Sequence, residues 1–119
     1  MPYFSGPPTC RLCGEETTHG VTNSTNTLGN ADRPYYACRC EGRKGFFSFD
    51  DYRGIQDENP PCNCGRPSRC VVRSMLSELY IEFLCATGVC DFKTLAGPDG
   101  SQSIIHPADI PELIDMGRI

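Results

Sequence analysis

Tryptophan is absent from this sequence, histidine occurs only at positions 19 and 106, and no apolar run approaches the roughly 18 residues that a membrane-spanning helix requires. The last of these excludes a transmembrane helix. The shortage of histidine leaves little material for proton-transfer chemistry. No paired carboxylates, no Ser/His/Asp group and no glycine-rich phosphate loop stand out, and the reading is of a protein that is not an enzyme. An excess of positive charge is lacking too: 11 Lys and Arg face 15 Asp and Glu, for a net charge of -4, so a general basic coat for nucleic acid is excluded. The opening residues, Met1 to Pro8, have no basic stretch followed by an apolar one and do not read as a signal peptide.

What is abundant is cysteine, nine residues in a chain of 119, together with 12 Gly and 10 Pro. Such a loop-rich chain depends on covalent or metal staples more than on a large apolar core. The spacing of the cysteines is informative. Cys10 and Cys13 form C-x-x-C before Gly14, and Cys38 and Cys40 form C-x-C. Cys62 and Cys64 form C-x-C before Gly65, Cys85 and Cys90 are five apart, and Cys70 stands alone. A disulfide between near neighbours closes a tiny loop and constrains the unfolded chain little. Two thiolates on one tight turn instead occupy two corners of a zinc tetrahedron, and a distant pair supplies the others. Two zinc ions follow, one on Cys10, Cys13, Cys38 and Cys40, the other on Cys62, Cys64, Cys85 and Cys90, with Cys70 left as a free thiol. The competing reading is a secreted disulfide scaffold with one thiol over. In the first set His19 is the alternative fourth ligand to Cys40, but it sits in a Thr/Gly/Asn-rich loop where an exposed, non-ligating histidine is expected. His106, before Pro107, reads as a plain surface residue.

The pairs also define an internal repeat of about 50 residues. Each copy opens on Pro, a cysteine pair and Gly, runs through a polar stretch into an aromatic or apolar strand (Arg33 to Cys38, then Leu79 to Cys85), and ends in aromatics (Phe46, Phe47 and Phe49, then Phe92). The β-formers Tyr35, Tyr36, Phe46, Phe47 and Phe49 predict strands in the first copy. Tyr80 to Leu84 predicts one in the second, with Val71 to Arg73 as a hairpin partner. Ser74 to Leu79 also reads as a short helix. The fold class is a small zinc-stabilised β protein: two tandem zinc ribbons of short antiparallel strands, residues 1–54 and 55–97, plus an acidic C-terminal tail, residues 98–119. In the tail Pro111 to Met116 predicts a short helix closed by Gly117. Its isoleucines and Leu113 suit packing onto a ribbon face or docking to a partner. Residues 50–60 join the copies and are too polar to fold alone.

The stretch Gly29-Asn30-Ala31-Asp32-Arg33-Pro34-Tyr35-Tyr36-Ala37-Cys38 with Phe46-Phe47, and the frame Cys62-Asn63-Cys64-Gly65, Phe83-Leu84-Cys85 and Cys90-Asp91-Phe92, resemble the GRF-type zinc finger, or GRF-like zinc ribbon, over about residues 8–95. In that family such fingers are appended to DNA-repair enzymes and type IA topoisomerases and bind single-stranded DNA. The resemblance implies binding of single-stranded DNA or RNA centred on Arg33, Tyr35 and Tyr36, with Arg meeting a phosphate and one ring stacking a base. Arg39, Arg43 and Lys44, and Arg66, Arg69 and Arg73, form two further basic clusters. Neutral ribbons and an acidic tail suit the alternative, a protein-interaction adaptor with structural zinc only. No membrane partner is expected, and the cysteine usage places the chain inside the cell, in the nucleus or cytoplasm.

Overall fold

The computed structural model describes residues 2–43, 45–97 and 99–119. Its seven strands are β1 (Thr18–Val21), β2 (Pro34–Cys38), β3 (Gly45–Phe49), β4 (Arg69–Met75), β5 (Glu78–Leu84), β6 (Lys93–Thr94) and β7 (Ile104–Ile105), followed by a 3-10 turn (Pro107–Asp109) and one short helix, α1 (Ile110–Asp115). They form two antiparallel sheets. The first has the order β1-β2-β3; in the second β4, β5 and β6 are neighbours and β7 pairs with β5.

The aromatic run expected as strand forms β2 and β3, and alternation sorts its rings. Tyr36 points inward and is buried, edge-on to Phe4 and His19 at ring-centre distances of 5.6 and 5.3 Å. Tyr35 lies on the other face beside Phe46 and across Gly20, where a Cβ would stand 2.8 Å from the Tyr35 ring. A glycine in edge strand β1 therefore lets that ring lie flat against the backbone. Ala37 pairs with Phe46 and Tyr36 with Ser48, so Phe47 is an extra residue in a bulge. It reaches the β5–β6 turn at Gly88, where a Cβ would meet its ring at 2.6 Å.

In the second half Val71 to Arg73 pairs with Tyr80 to Glu82, as the hairpin reading expects. The helix read over Ser74 to Leu79 is not formed. Strand pairing continues to Met75, and Leu76 and Ser77, both at positive φ, make a two-residue turn. Such a turn matches the twist of the flanking strands, and seven paired rows outweigh local helix propensity. Strand β1 also corrects an expectation: His19 lies in a strand, paired with Tyr36, and not in a loop.

The tail packs onto the second sheet. Ile110 and Ile119 join Cys70, Val72 and Phe83 in one apolar cluster, against which Leu28, Leu79, Ile105, Leu113 and Ile114 pack. Helix α1 ends as predicted, with Gly117 at φ 71° and the bonds Gly117 N–H to Ile114 O and Arg118 N–H to Leu113 O that close a helix in the left-handed conformation. His106, exposed, is more than a surface residue: its Nδ1 accepts from Ala108 N–H and its own N–H donates to Asp109, capping the 3-10 turn.

Residues 50–60, read as a polar connector, are the centre of the molecule. Asp51 is buried between two guanidinium groups. Arg33 donates from Nε to Oδ2 at 2.7 Å and from Nη2 to Oδ1 at 3.0 Å, and Arg69 donates from Nη1 to Oδ1 at 2.8 Å. Arg69 also donates to the carbonyls of Phe49, Asp51 and Arg53. Asp50 accepts the N–H groups of Tyr3 and Phe4, and Arg53 donates to the carbonyls of Gly29 and Ile119. The connector thus clasps the N-terminus, both sheets and the C-terminus. Burial raises the Asp51 carboxyl, but the two arginines outweigh it and hold it below the usual carboxylate range. A depressed carboxylate stabilises above its ordinary range and loses that contribution as pH falls through its lowered value.

Removing the shared carboxylate leaves two buried cations unpaired, an effect of about 3–5 kcal/mol. Asp51→Ala should therefore lower the urea midpoint sharply at saturating zinc. Asp57→Ala, on an exposed side chain of the same connector, should stay within about 0.5 kcal/mol of wild type.

Candidate metal centre

The first four-cysteine site is built by two tight turns. The Thr9–Glu16 bridge brackets one of them, Cys10 N–H donates to Glu15 O, and Gly14 at φ 78° donates back to Cys10 O at 2.8 Å. Cys38 ends β2, and Cys40 lies in the β2–β3 turn, where Arg43 N–H donates to Cys40 O. The second site repeats the plan. The Pro61–Pro67 bridge brackets Cys62 and Cys64, Gly65 at φ 81° donates to Cys62 O, and past the end of β5 Gly88 at φ 72° donates to Cys85 O. Glycine at these turns permits the left-handed backbone that folds the two thiols toward one point.

In each site the four sulfurs lie within 4.8 Å of one another. A tetrahedral zinc with bonds near 2.3 Å sets sulfur–sulfur edges of about 3.8 Å. Cys10–Cys40 is 3.9 Å, Cys13–Cys38 is 3.5 Å, and Cys62–Cys85 and Cys64–Cys85 are both 3.8 Å. Cys62–Cys64, at 2.7 Å, is tighter.

The electrostatics ask for a cation. Burial raises the Cys10 thiol, but the N–H groups of Leu12 and Cys13 and the Arg43 guanidinium outweigh it and bring it down to about 6. Burial likewise raises Cys85, and the Thr87 hydroxyl with the Cys90 and Thr87 N–H groups brings it to about 6. Their neighbours move the other way. Cys13 receives the Glu15 N–H, which lowers it, yet the adjoining sulfurs and burial carry it to about 12; burial and the Cys64 and Cys85 sulfurs carry Cys62 to about 12. Several thiolates this close are stable together only around a metal ion. Arg43 fits the same account: its Nε and Nη2 are hidden from solvent without an oxygen partner, and its guanidinium sits beside Cys10 and over the Phe47 ring at 4.6 Å. The residues present therefore fit two zinc ions. With four thiolates each, both sites are closed, and the metal supplies folding energy and no open coordination position.

Cys40 belongs to the first cluster and His19 does not. Cys70 belongs to neither: it is 5% exposed on β4, and burial pushes its thiol to about 12.

The nucleic-acid residues fare differently. Arg33 is 2% exposed and spent on Asp51, with its guanidinium 3.8 Å over Phe49. In this structure the cation expected to meet a phosphate is paired inside the protein. Tyr36 is buried, and burial raises its hydroxyl. Tyr35 is half-buried, next to Phe46, which is 44% exposed. The basic clusters are also depleted. Arg69 is fully buried and Arg73 is paired with Glu82 at 2.7 Å, while Arg39 and Arg66 remain exposed; Lys44 lies outside the described residues. The Asp51 clasp escaped sequence reasoning, although the adjacent acids Asp50 and Asp51 directly after an aromatic strand were a signal for it.

Fold and sites together define a zinc-ribbon protein. Residues 7–53 match the family model of the GRF-like zinc ribbon domain. The match covers the first four-cysteine site; the second site stands on its own geometry. No curated protein and no solved structure matches the chain. No helix among the described residues is long and apolar enough to cross a membrane.

Native mass spectrometry should find two zinc ions per chain. Cys70→Ser and His19→Ala should keep both, and Cys40→Ser should lose one. A chelator should remove the β-sheet signal, since structural zinc supplies about 10–16 kcal/mol in small fingers.

Proposed function

We propose that the protein is a non-enzymatic interaction module. In this reading residues 55–97 are a second copy of the ribbon, supported by the second bracketed cysteine turn with its positive-φ glycine. Both zinc ions are structural, and the paired ribbons present one rigid surface to a protein partner. The observation that carries it is the fate of the arginines. Arg33 and Arg69, two cations that a single-strand binder would turn toward phosphates, are locked on Asp51. The net charge of -4 is then borne by a surface on which Asp109, Glu112 and Asp115 of the tail are all exposed. That surface repels a polyanion and favours a partner with a basic face.

The test is fluorescence anisotropy of a labelled single-stranded DNA and a matching RNA, titrated with zinc-loaded protein at low salt. Phosphate contacts would give binding that weakens steeply with salt. The interaction-module reading expects no binding at micromolar protein. Salt-dependent binding that is weakened by Arg39→Glu or Arg66→Glu would overturn it in favour of the single-strand reading that the family resemblance implies.

A further inference from the structure

A cavity of about 580 Å³ lies between β5 and the C-terminal segment, within the roughly 300–1,000 Å³ typical of small-molecule sites. Ile81 and Phe83 of β5, Ile105 of β7, Leu113 of α1 and the terminal Ile119 give it apolar walls, and Cys70 lines it too. Cys70 keeps its proton, because burial raises its thiol to about 12. Gln56, Asn59, Ser101 and Ser103 line the cavity as well, so neutral polar groups stand beside the apolar ones.

The two charged side chains of the lining, Arg118 and Asp99, are not equally available. Arg118 lines the cavity, is exposed, and has no carboxylate within 4 Å among the described residues. Its charge is close enough to act on the Cys70 thiol in the wall. The acidic side chain of the lining, Asp99, is turned into its own loop, where Oδ1 accepts from Ser101 N–H at 2.9 Å and Ser101 Oγ at 2.7 Å. The cavity thus combines an apolar patch with one cation that has no ion-pair partner among the described residues. An apolar chain ending in an anion satisfies both, and an apolar chain ending in a cation meets Arg118 as a like charge.

We propose that this cavity binds a small amphipathic monocarboxylate of the medium-chain fatty-acid type, its chain against Ile81, Phe83 and Leu113 and its carboxylate at Arg118. The site is independent of both zinc clusters, and it gives the tail a role beyond covering the second sheet.

The experiment is a titration of zinc-loaded, 15N-labelled full chain with decanoate, followed in amide correlation spectra, with decylammonium as the same chain of opposite charge. Decanoate should give saturable shifts at Cys70, Ile81, Phe83 and Ile119, and decylammonium none. Arg118→Glu, a change at an exposed side chain, should weaken decanoate about fivefold, the scale of one exposed ion pair. Ile81→Trp should abolish binding by filling the cavity, with zinc content as the check on folding. No saturable shift with decanoate in the folded wild type overturns the proposal. So does equal binding of both probes, or unchanged decanoate affinity in Arg118→Glu.

Discussion

One buried carboxylate organises this molecule. Asp51 stands where the chain passes from the first sheet to the second, and it holds Arg33 from just before β2 and Arg69 from the start of β4. Two cations on one anion leave a positive remainder in a low-dielectric place. Burial accordingly pulls Arg69 down to about 10, and backbone carbonyls of Phe49, Asp51 and Arg53 solvate its charge. Charges buried this way are costly to bring in and costlier to unpair. The arrangement fixes how the two halves meet, and small-residue contacts complete it: Gly88 against the Phe47 ring and Gly29 against Ile110 admit no added methyl.

The zinc sites act at a different level. Each joins a turn before a sheet to a turn after its central strand, so that a sheet of a few short strands closes on itself without a large apolar core. Arg43 links the two levels. It stacks on Phe47, the bulged residue that reaches the second unit, while its guanidinium lies beside the Cys10 sulfur. Metal, bulge and inter-sheet contact therefore meet at one cation. Four thiolates at each site complete a zinc tetrahedron, and Arg33 and Arg69 are internal while Arg39 and Arg66 stay exposed.

The sequence exposes some of this and hides the rest for physical reasons. Metal ligands are local: a cysteine pair two to five residues apart with a glycine at the turn signals a knuckle regardless of the surrounding fold, and all eight expected cysteines fall into two clusters. Strands β2 to β5 follow from aromatic and β-branched runs. The clasp is non-local, joining residues 18 positions apart on either side, and an arginine destined for the interior looks in sequence like one destined for DNA. Strand β1 was hidden because only four residues form it and Gly20 interrupts its β-formers Thr18 and Val21, so pairing to β2 and the Tyr35 ring holds it. The two-residue β7 is set by its pairing to β5, which no local pattern announces.

The central claim is that the Asp51 clasp makes the two sheets one body and keeps its arginines inside. The most direct measurement is 15N relaxation of the zinc-loaded chain, read at backbone amides of both sheets and at the Nε–H groups of Arg33, Arg69 and Arg39. The account predicts a single tumbling time for both sheets, with Arg33 and Arg69 Nε as rigid as the backbone and Arg39 Nε mobile. Separate tumbling of the two sheets, or an Arg33 Nε as mobile as that of exposed Arg39, would contradict it.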